Sequence, residues 1–88
     1  MKFKDIHFSK QKRFSLGREE KTGKYYLSIP VTASHFADYE EYYEISDEEF
    51  SLFSSDLDNA TELVKRCRER KEDSRLMIKP EKNRGTPC

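Results

Sequence analysis

The stretch FSLGREEKTGKYYLSIPV, residues 14–31, decides the fold. Its two ends alternate apolar with polar side chains, and this period of two is typical of half-buried strands. Between them, a charged segment ends in Gly23, a residue suited to a tight turn. The stretch therefore predicts a β-hairpin. Pro30 lies within the second strand, and because proline has no N–H to donate, we expect that strand to lie at a sheet edge or to bulge there.

A third strand is indicated by residues 38–45, DYEEYYEI, because tyrosine and isoleucine favour extended structure. Alternation places the side chains on two faces, with Tyr39, Tyr43 and Ile45 on one and Glu40, Tyr42 and Glu44 on the other. Glu41 falls on the apolar face, which weakens this register, and a helix is the competing interpretation.

Two helices are indicated after this strand. Ser46 and Glu49 have the spacing of a capping box, and Asp47 and Glu48 add negative charge where a helix N-terminus favours it. A second helix is indicated by an apolar stripe at positions i, i+3, i+4 and i+7, which consists of Ala60, Leu63, Val64 and Cys67. Residues 76–78 then predict a short final strand.

These segments predict a small α+β protein. Its antiparallel sheet would contain the hairpin, the third strand and a late fourth strand, with one or two helices packed on one face. Ile6 and Phe8 alternate weakly and could begin a further edge strand. Since 88 residues can bury only one modest core, we expect residues 1–80 to form a single domain and residues 81–88 a disordered tail.

Charges are strongly segregated along the chain, although the formal net charge is zero. Residues 37–62 contain ten Asp and Glu and no Lys or Arg. Residues 1–36 contain eight Lys and Arg against three acids, and residues 63–88 contain nine against four. Such segregation creates a local field that can steer a charged partner even when the whole chain is neutral.

Residues that usually carry catalysis or bind metals are sparse. His7 and His35 have no partner spaced as in a catalytic dyad or triad, and Cys67 and Cys88 lack the paired spacing of a zinc site. The three glycines form no phosphate loop. We therefore expect no enzyme activity, no cofactor and no metal. Two cysteines are too few for a disulfide scaffold and no apolar run is long enough to span a membrane, so we expect a cytoplasmic protein.

We expect the acidic window to bind a basic partner. The plainest alternative is a solvated surface with two acidic helix starts. However, no lysine or arginine interrupts the window to form local ion pairs, and tyrosines, which are frequent at binding hot spots, alternate with the carboxylates. Proteins that bind nucleic acid have the basic clefts that such a surface suits. The predicted contact residues are Asp38, Tyr39, Glu40, Tyr42, Tyr43, Glu44, Asp47 and Glu48.

Two other functions stay open at this point. Basic residues of the two flanks could form a nucleic-acid patch, although no common recognition motif is present and helix arginines also complement the helix dipole. The residues concerned are Lys10, Lys12 and Arg13, or Arg66, Arg68, Arg70 and Lys71. Alternatively, the basic flanks of one chain could contact the acidic centre of another, as in an adaptor or an oligomer subunit.

Three stretches resemble a family of small bacterial immunity proteins from toxin–immunity systems of the contact-dependent growth inhibition type. They are GKYYLSIPV at residues 23–31, DYEEYYEI at residues 38–45 and Cys67-Arg68, and the resemblance covers about residues 15–79. It implies a cytoplasmic protein that neutralises one cognate toxin, often a nuclease, in a one-to-one complex. It implies no particular contact residues, because immunity proteins differ in the surface they use. Nucleic acid, a membrane or a small-molecule substrate is not expected as a partner.

Overall fold

The computed structural model describes residues 2–32 and 39–78 and the backbone of residues 86–87. Its strands are β1 (Phe3–Ser9), β2 (Phe14–Glu19), β3 (Tyr25–Thr32), β4 (Tyr39–Ile45) and the short β5 (Thr86–Pro87). Its α-helices are α1 (Asp47–Ser55) and α2 (Thr61–Arg68), and 3-10 turns occupy Leu57–Ala60 and Asp73–Arg75. The sheet has the order β1-β2-β3-β4 with antiparallel neighbours throughout, and β5 pairs with the end of β3.

The β2–β3 hairpin is confirmed, and Gly23 takes the positive φ of 73° that its turn requires. The expectation that β3 lies at an edge is wrong, because β3 pairs with β2 on one side and with β4 on the other. Proline is tolerated there for a local reason. The last residue of β3 that pairs with β2 is Ser28, so Pro30 lies beyond the end of that neighbour and interrupts no ladder bond to β2.

Glu19 ties the hairpin turn to the start of β1. Its buried carboxylate accepts hydrogen bonds from the backbone amides of Lys21, Lys2 and Thr22 at 2.9, 2.8 and 2.8 Å. These amides, with that of Lys21 contributing most, lower the pKa of Glu19 to about 2. One carboxylate thus fixes the position of the N-terminal strand against the hairpin.

The α+β class, with a four-stranded antiparallel sheet and two helices, is confirmed. The strand predicted for residues 76–78 is wrong, because Leu76 makes only an isolated bridge to Tyr43 and residues 73–75 form a 3-10 turn. The fourth main strand is instead the N-terminal β1. The edge strand that the weak alternation of Ile6 and Phe8 indicated is confirmed, and the register shift between Asp5 and His7 is why that alternation is weak.

The first helix begins as its sequence predicts, whereas α2 has Ala60 at its N-cap and no side-chain cap; the apolar stripe packs as predicted. The Ser46 hydroxyl accepts from the Glu49 amide at 3.1 Å, and the Glu49 carboxylate accepts from the Ser46 amide at 2.9 Å, so the capping box is confirmed. The stripe of α2 is buried against the sheet together with Phe53 of α1. No helix in the described ranges is long and apolar enough to cross a membrane.

The predicted tail, residues 81–88, lies mostly outside the described residues. Of this segment only the backbone of Thr86–Pro87 is described, and it pairs with Val31 and Thr32 of β3.

Candidate functional site on the helix-free face

The sheet has one face covered by helices and one face that no described helix covers. Core residues of β3 and β4, such as Leu27 and Tyr43, point toward α1 and α2. The alternate residues form the helix-free face, which consists of Ser15, Gly17, Tyr26, Ser28, Glu40, Tyr42 and Glu44. The predicted alternation of β4, with Glu40, Tyr42 and Glu44 on one side, agrees with this register.

The helix-free face is strongly curled. The ring of Phe3 in β1 stacks on the ring of Tyr42 in β4, with centroids 3.6 Å apart. Two strands lie between β1 and β4, so in a flat sheet these residues would be about 14 Å apart. Small residues in the intervening strands, Ser15, Gly17 and Ser28, allow the sheet to bend until the two rings meet.

Gly17 marks the tightest point of the curl. A Cβ atom at this position would overlap the backbone carbonyl of Lys4 and the phenol of Tyr26. Glycine is therefore required by the close approach of β1 and of the Tyr26 ring. The result is that Tyr26 is fully buried, although no described helix covers it, with Phe3 and Tyr42 packed edge-on against it at 5.3 and 5.0 Å.

Two carboxylates and two phenols meet under this curl, and we call Asp5, Tyr26, Glu40 and Tyr42 the acidic cluster. The Tyr26 hydroxyl donates to Asp5 Oδ1 at 2.5 Å. Burial, the hydrogen bond to Asp5 and the charge of Asp5 together raise the pKa of Tyr26 above its ordinary range. The phenol is therefore a permanent donor to Asp5 at neutral pH.

Glu40 carries a charge in an unfavourable environment. Burial raises its pKa, the charge of Asp5 raises it further, and a hydrogen bond from Ser28 offsets only part of this. Burial and the charges of Glu40 and Asp5 likewise raise the pKa of Tyr42. The Ser28 hydroxyl lies 3.5 Å from Glu40 Oε1, while the buried Oε2 has no hydrogen-bond donor among the described residues.

Several other carboxylates of the acidic window have cationic partners. Glu41 is 2.8 Å from Arg70, Glu49 is 3.0 Å from Arg75, and Glu44 is 3.3 Å from Lys24. For Asp5 and Glu40, by contrast, residues 2–32 and 39–78 supply no Lys or Arg within 4.0 Å. Among the described carboxylates of the window, Glu40 is half-buried and has no cationic partner. Asp47, Glu48, Asp56 and Glu62 have none either, but they are exposed to water.

The structure separates the predicted contact residues into groups. Tyr42 and Glu40 belong to the acidic cluster, and Glu44 is exposed on the same face. Asp47 and Glu48 are exposed at the start of α1, on the helix-covered side. Tyr39 is 39% exposed. Asp38 lies outside the described residues.

Tyr43 is wrong as a contact residue, because it is completely buried in the core. Its hydroxyl donates to Glu41 and lies 3.3 Å from the Cys67 carbonyl, which joins β4 to α2. A run of three tyrosines does not by itself indicate which ring is buried. The burial of Tyr43 follows from its parity, which it shares with the core residue Ile45.

Sequence reasoning missed Asp5, Phe3 and Tyr26. The available signal was the alternation of Phe3 and Asp5, which places both on the side of β1 that faces Gly17 and Glu19 of β2. That signal is only two residues long before the register shifts, so it could not be told from chance.

The acidic cluster can bind a cation, because carboxylates and phenol oxygens accept charge-assisted hydrogen bonds from lysine or arginine. Across the described part of the chain, no three His, Cys, Asp or Glu side chains are grouped as a metal site would require. Comparison of the chain with protein-family models, with curated proteins and with solved structures finds no match.

Proposed function

We propose that this protein is an immunity protein that binds and neutralises a cognate bacterial toxin domain through its helix-free face. The observation that supports this is the acidic cluster, where Asp5 and Glu40 lack a cationic partner within the described residues. On this proposal the protein acts in the cytoplasm by one-to-one binding and catalyses no reaction.

An unfavourable charge in the unbound protein supports this proposal. The charge of Asp5 and the burial of Glu40 raise the pKa of Glu40, so a charged Glu40 is unfavourable, and its partial burial weakens the screening by water. A lysine or arginine from a partner would relieve this repulsion on binding. Glu40 would then contribute to affinity because the free protein holds its charge in an unfavourable state.

A nuclease toxin is the partner class that fits best. Its nucleic-acid cleft must carry Lys and Arg to bind phosphates, and a fixed pair of carboxylates can occupy the position of those phosphates. Aromatic rings beside the carboxylates add rigid contact area, as Tyr42 does here.

The test is coexpression with the product of the gene immediately upstream, followed by copurification and a growth-protection assay. We expect a one-to-one complex and protection from the toxin. In the purified complex, Asp5→Asn combined with Glu40→Gln should slow association about tenfold at low salt and reduce its salt dependence. Glu62→Gln is the matched control, because Glu62 is an exposed carboxylate on α2, away from the helix-free face.

Three results would count against the proposal. They are an upstream gene whose product is not toxic, a toxic product against which the chain gives no protection, and a protective complex whose association rate is unchanged by the double substitution. The last result would retain the immunity function but move the interface away from the acidic cluster.

A further inference from the structure

An open pocket of about 390 Å³ lies between the β1–β2 turn and α2, on a part of the molecule that shares no residue with the acidic cluster. We call it the basic pocket, because three of its lining residues are cations, Lys12, Lys65 and Arg68. Gln11 and Thr61 add neutral polar groups. The fold brings these cations together from segments more than 50 residues apart in the sequence.

Arg68 differs from the other half-buried arginines of the described chain. Arg66, Arg70 and Arg75 each lie within 3.0 Å of a carboxylate oxygen. Arg68 has no carboxylate within 4.0 Å in the described ranges. Its Nη2 instead donates to the backbone carbonyls of Lys12 and Arg13 at 2.6 and 3.0 Å, and its buried Nε has no acceptor among the described residues.

These bonds orient the guanidinium without neutralising it. A partly buried charge is unfavourable unless a counter-charge accompanies it. Backbone carbonyls satisfy two of its N–H positions, so the group is held in place while its positive charge stays uncompensated. A fixed guanidinium with spare donors is the arrangement that proteins use to bind planar or tetrahedral oxyanions.

The remaining charges of the pocket do not offset Arg68. Lys12 is paired with Asp58 at 2.8 Å, so it adds little net charge. Glu69, the one carboxylate among the lining residues, is 3.6 Å from Lys71 and is therefore already balanced. Lys65 is exposed and forms no ion pair in residues 39–78. The net excess is the positive charge of Arg68 and Lys65.

We propose that the basic pocket binds a phosphate group, with Arg68 and Lys65 as the charged contacts. Phosphate supplies several acceptor oxygens, which match the donors of a guanidinium and an ammonium. The pocket is large enough for a nucleotide-sized ligand. A free phosphate compound and a nucleic-acid backbone share this chemistry, and binding experiments separate them.

The experiment is an NMR titration of the ¹⁵N-labelled protein with inorganic phosphate, and separately with a single-stranded DNA ten-mer, each against sodium chloride at equal ionic strength. We expect saturable shifts of the Gln11, Lys65 and Arg68 amides with phosphate and not with chloride. Arg68→Gln should weaken phosphate binding at least about tenfold. Lys65→Gln should weaken it about threefold, and because Lys65 is exposed, this variant keeps the turn contacts of Arg68 intact.

Arg66→Gln is the matched control, since Arg66 lies on the same helix but is paired with Glu72 and does not line the pocket. It should change phosphate binding less than twofold. Tighter binding of the ten-mer than of phosphate, with a steep salt dependence, identifies a nucleic-acid backbone as the source. Equal or weaker binding identifies a small phosphate compound. The proposal is overturned by equal responses to phosphate and chloride, or by variants of Arg68 and Lys65 that bind phosphate as the control does.

Discussion

Replacing Glu40 with glutamine should stabilise this protein at neutral pH, which is the reverse of what most substitutions do. The change removes one negative charge while keeping the size and shape of the side chain. In the native protein that charge is half-buried, it lies close enough to Asp5 for the two to repel, and one of its oxygens has no donor among the described residues. Glutamine removes the repulsion and leaves the packing on the curled sheet unchanged.

The expected gain is about 1 kcal/mol. A buried polar group without a partner costs about 1–3 kcal/mol, and more when it is charged. Glutamine retains a polar amide at the same place, so only the part due to charge is recovered. In a domain of this size, 1 kcal/mol raises the melting temperature by about 4–8 °C.

The gain must also depend on pH in a particular direction. Because the pKa of Glu40 is raised in the folded state, protonated Glu40 favours folding, and this contribution is lost as the pH rises through the folded pKa. The advantage of Glu40→Gln should therefore be close to zero below about pH 3, where the acid is protonated in both states. It should grow as the pH rises and become constant above the folded pKa.

Chemical denaturation of both proteins at intervals between about pH 3 and pH 8 measures this difference. Glu62→Gln provides the control, because Glu62 is exposed and its removal should change stability by less than about 0.5 kcal/mol. Destabilisation by Glu40→Gln, or a gain that does not vary with pH, would refute the conclusion that the fold tolerates an unfavourable charge at this position.

Three further substitutions test other parts of the structure by the same denaturation measurements. Gly17→Ala should destabilise by about 2 kcal/mol or more, because its methyl group would overlap the phenol of Tyr26; an unchanged stability would show that the sheet is less tightly curled. Glu19→Gln should destabilise the protein at neutral pH, because the native carboxylate, with its lowered pKa, stabilises the fold only while it is charged. The native protein should lose this stability as the pH falls from about 4.5 to 2, and the variant should show a smaller loss over that range. Arg70→Met should cost about 3–5 kcal/mol because it removes a cation 2.8 Å from the buried carboxylate of Glu41, and a cost below 1 kcal/mol would contradict the importance of this pair.

Local features of the fold could be predicted from the sequence, and features that depend on distant contacts could not. The hairpin, the capping box at Ser46 and the α2 stripe each depend on residues a few positions apart, so their spacing is sufficient. The curl of the sheet depends on a contact between Phe3 and Tyr42, and on the absence of a side chain at Gly17. No periodicity relates these three positions.

The residues of the candidate site likewise divide into those that local spacing predicts and those that only distant contacts bring together. Alternation along β4 correctly grouped Glu40 with Tyr42, because strand geometry fixes the parity of neighbours. Their partners Asp5 and Tyr26 come from other strands, and the register that brings Asp5 opposite Gly17 is set beside an irregularity in β1. The alternation of side chains along β4 identifies Glu40 and Tyr42, but it does not identify Asp5 and Tyr26, which complete the acidic cluster.

The segregation of charge along the chain now has two separate explanations. Much of it is used to hold the fold together, since carboxylates of the acidic window pair with cations of the two flanks. Four such ion pairs lie in the described structure, namely Lys12–Asp58, Lys24–Glu44, Arg70–Glu41 and Arg75–Glu49. Each of these ion pairs joins residues that are far apart in the sequence. Because the window contains no lysine or arginine, its carboxylates can pair only with cations from other segments.

Several exposed charges, among them Asp47, Glu48 and Glu62, also have no ion pair in the described structure, and water screens them. On the helix-free face, Glu40 and Asp5 remain without a described cation, and beside α2, Arg68 remains without a described carboxylate. Paired and unpaired charged residues occur in the same segments of the chain, so the composition of a segment does not distinguish one group from the other. Only their positions in the fold do. The gain expected from Glu40→Gln means that this carboxylate does not serve the stability of the folded chain, and the cationic partner proposed above would give it another role.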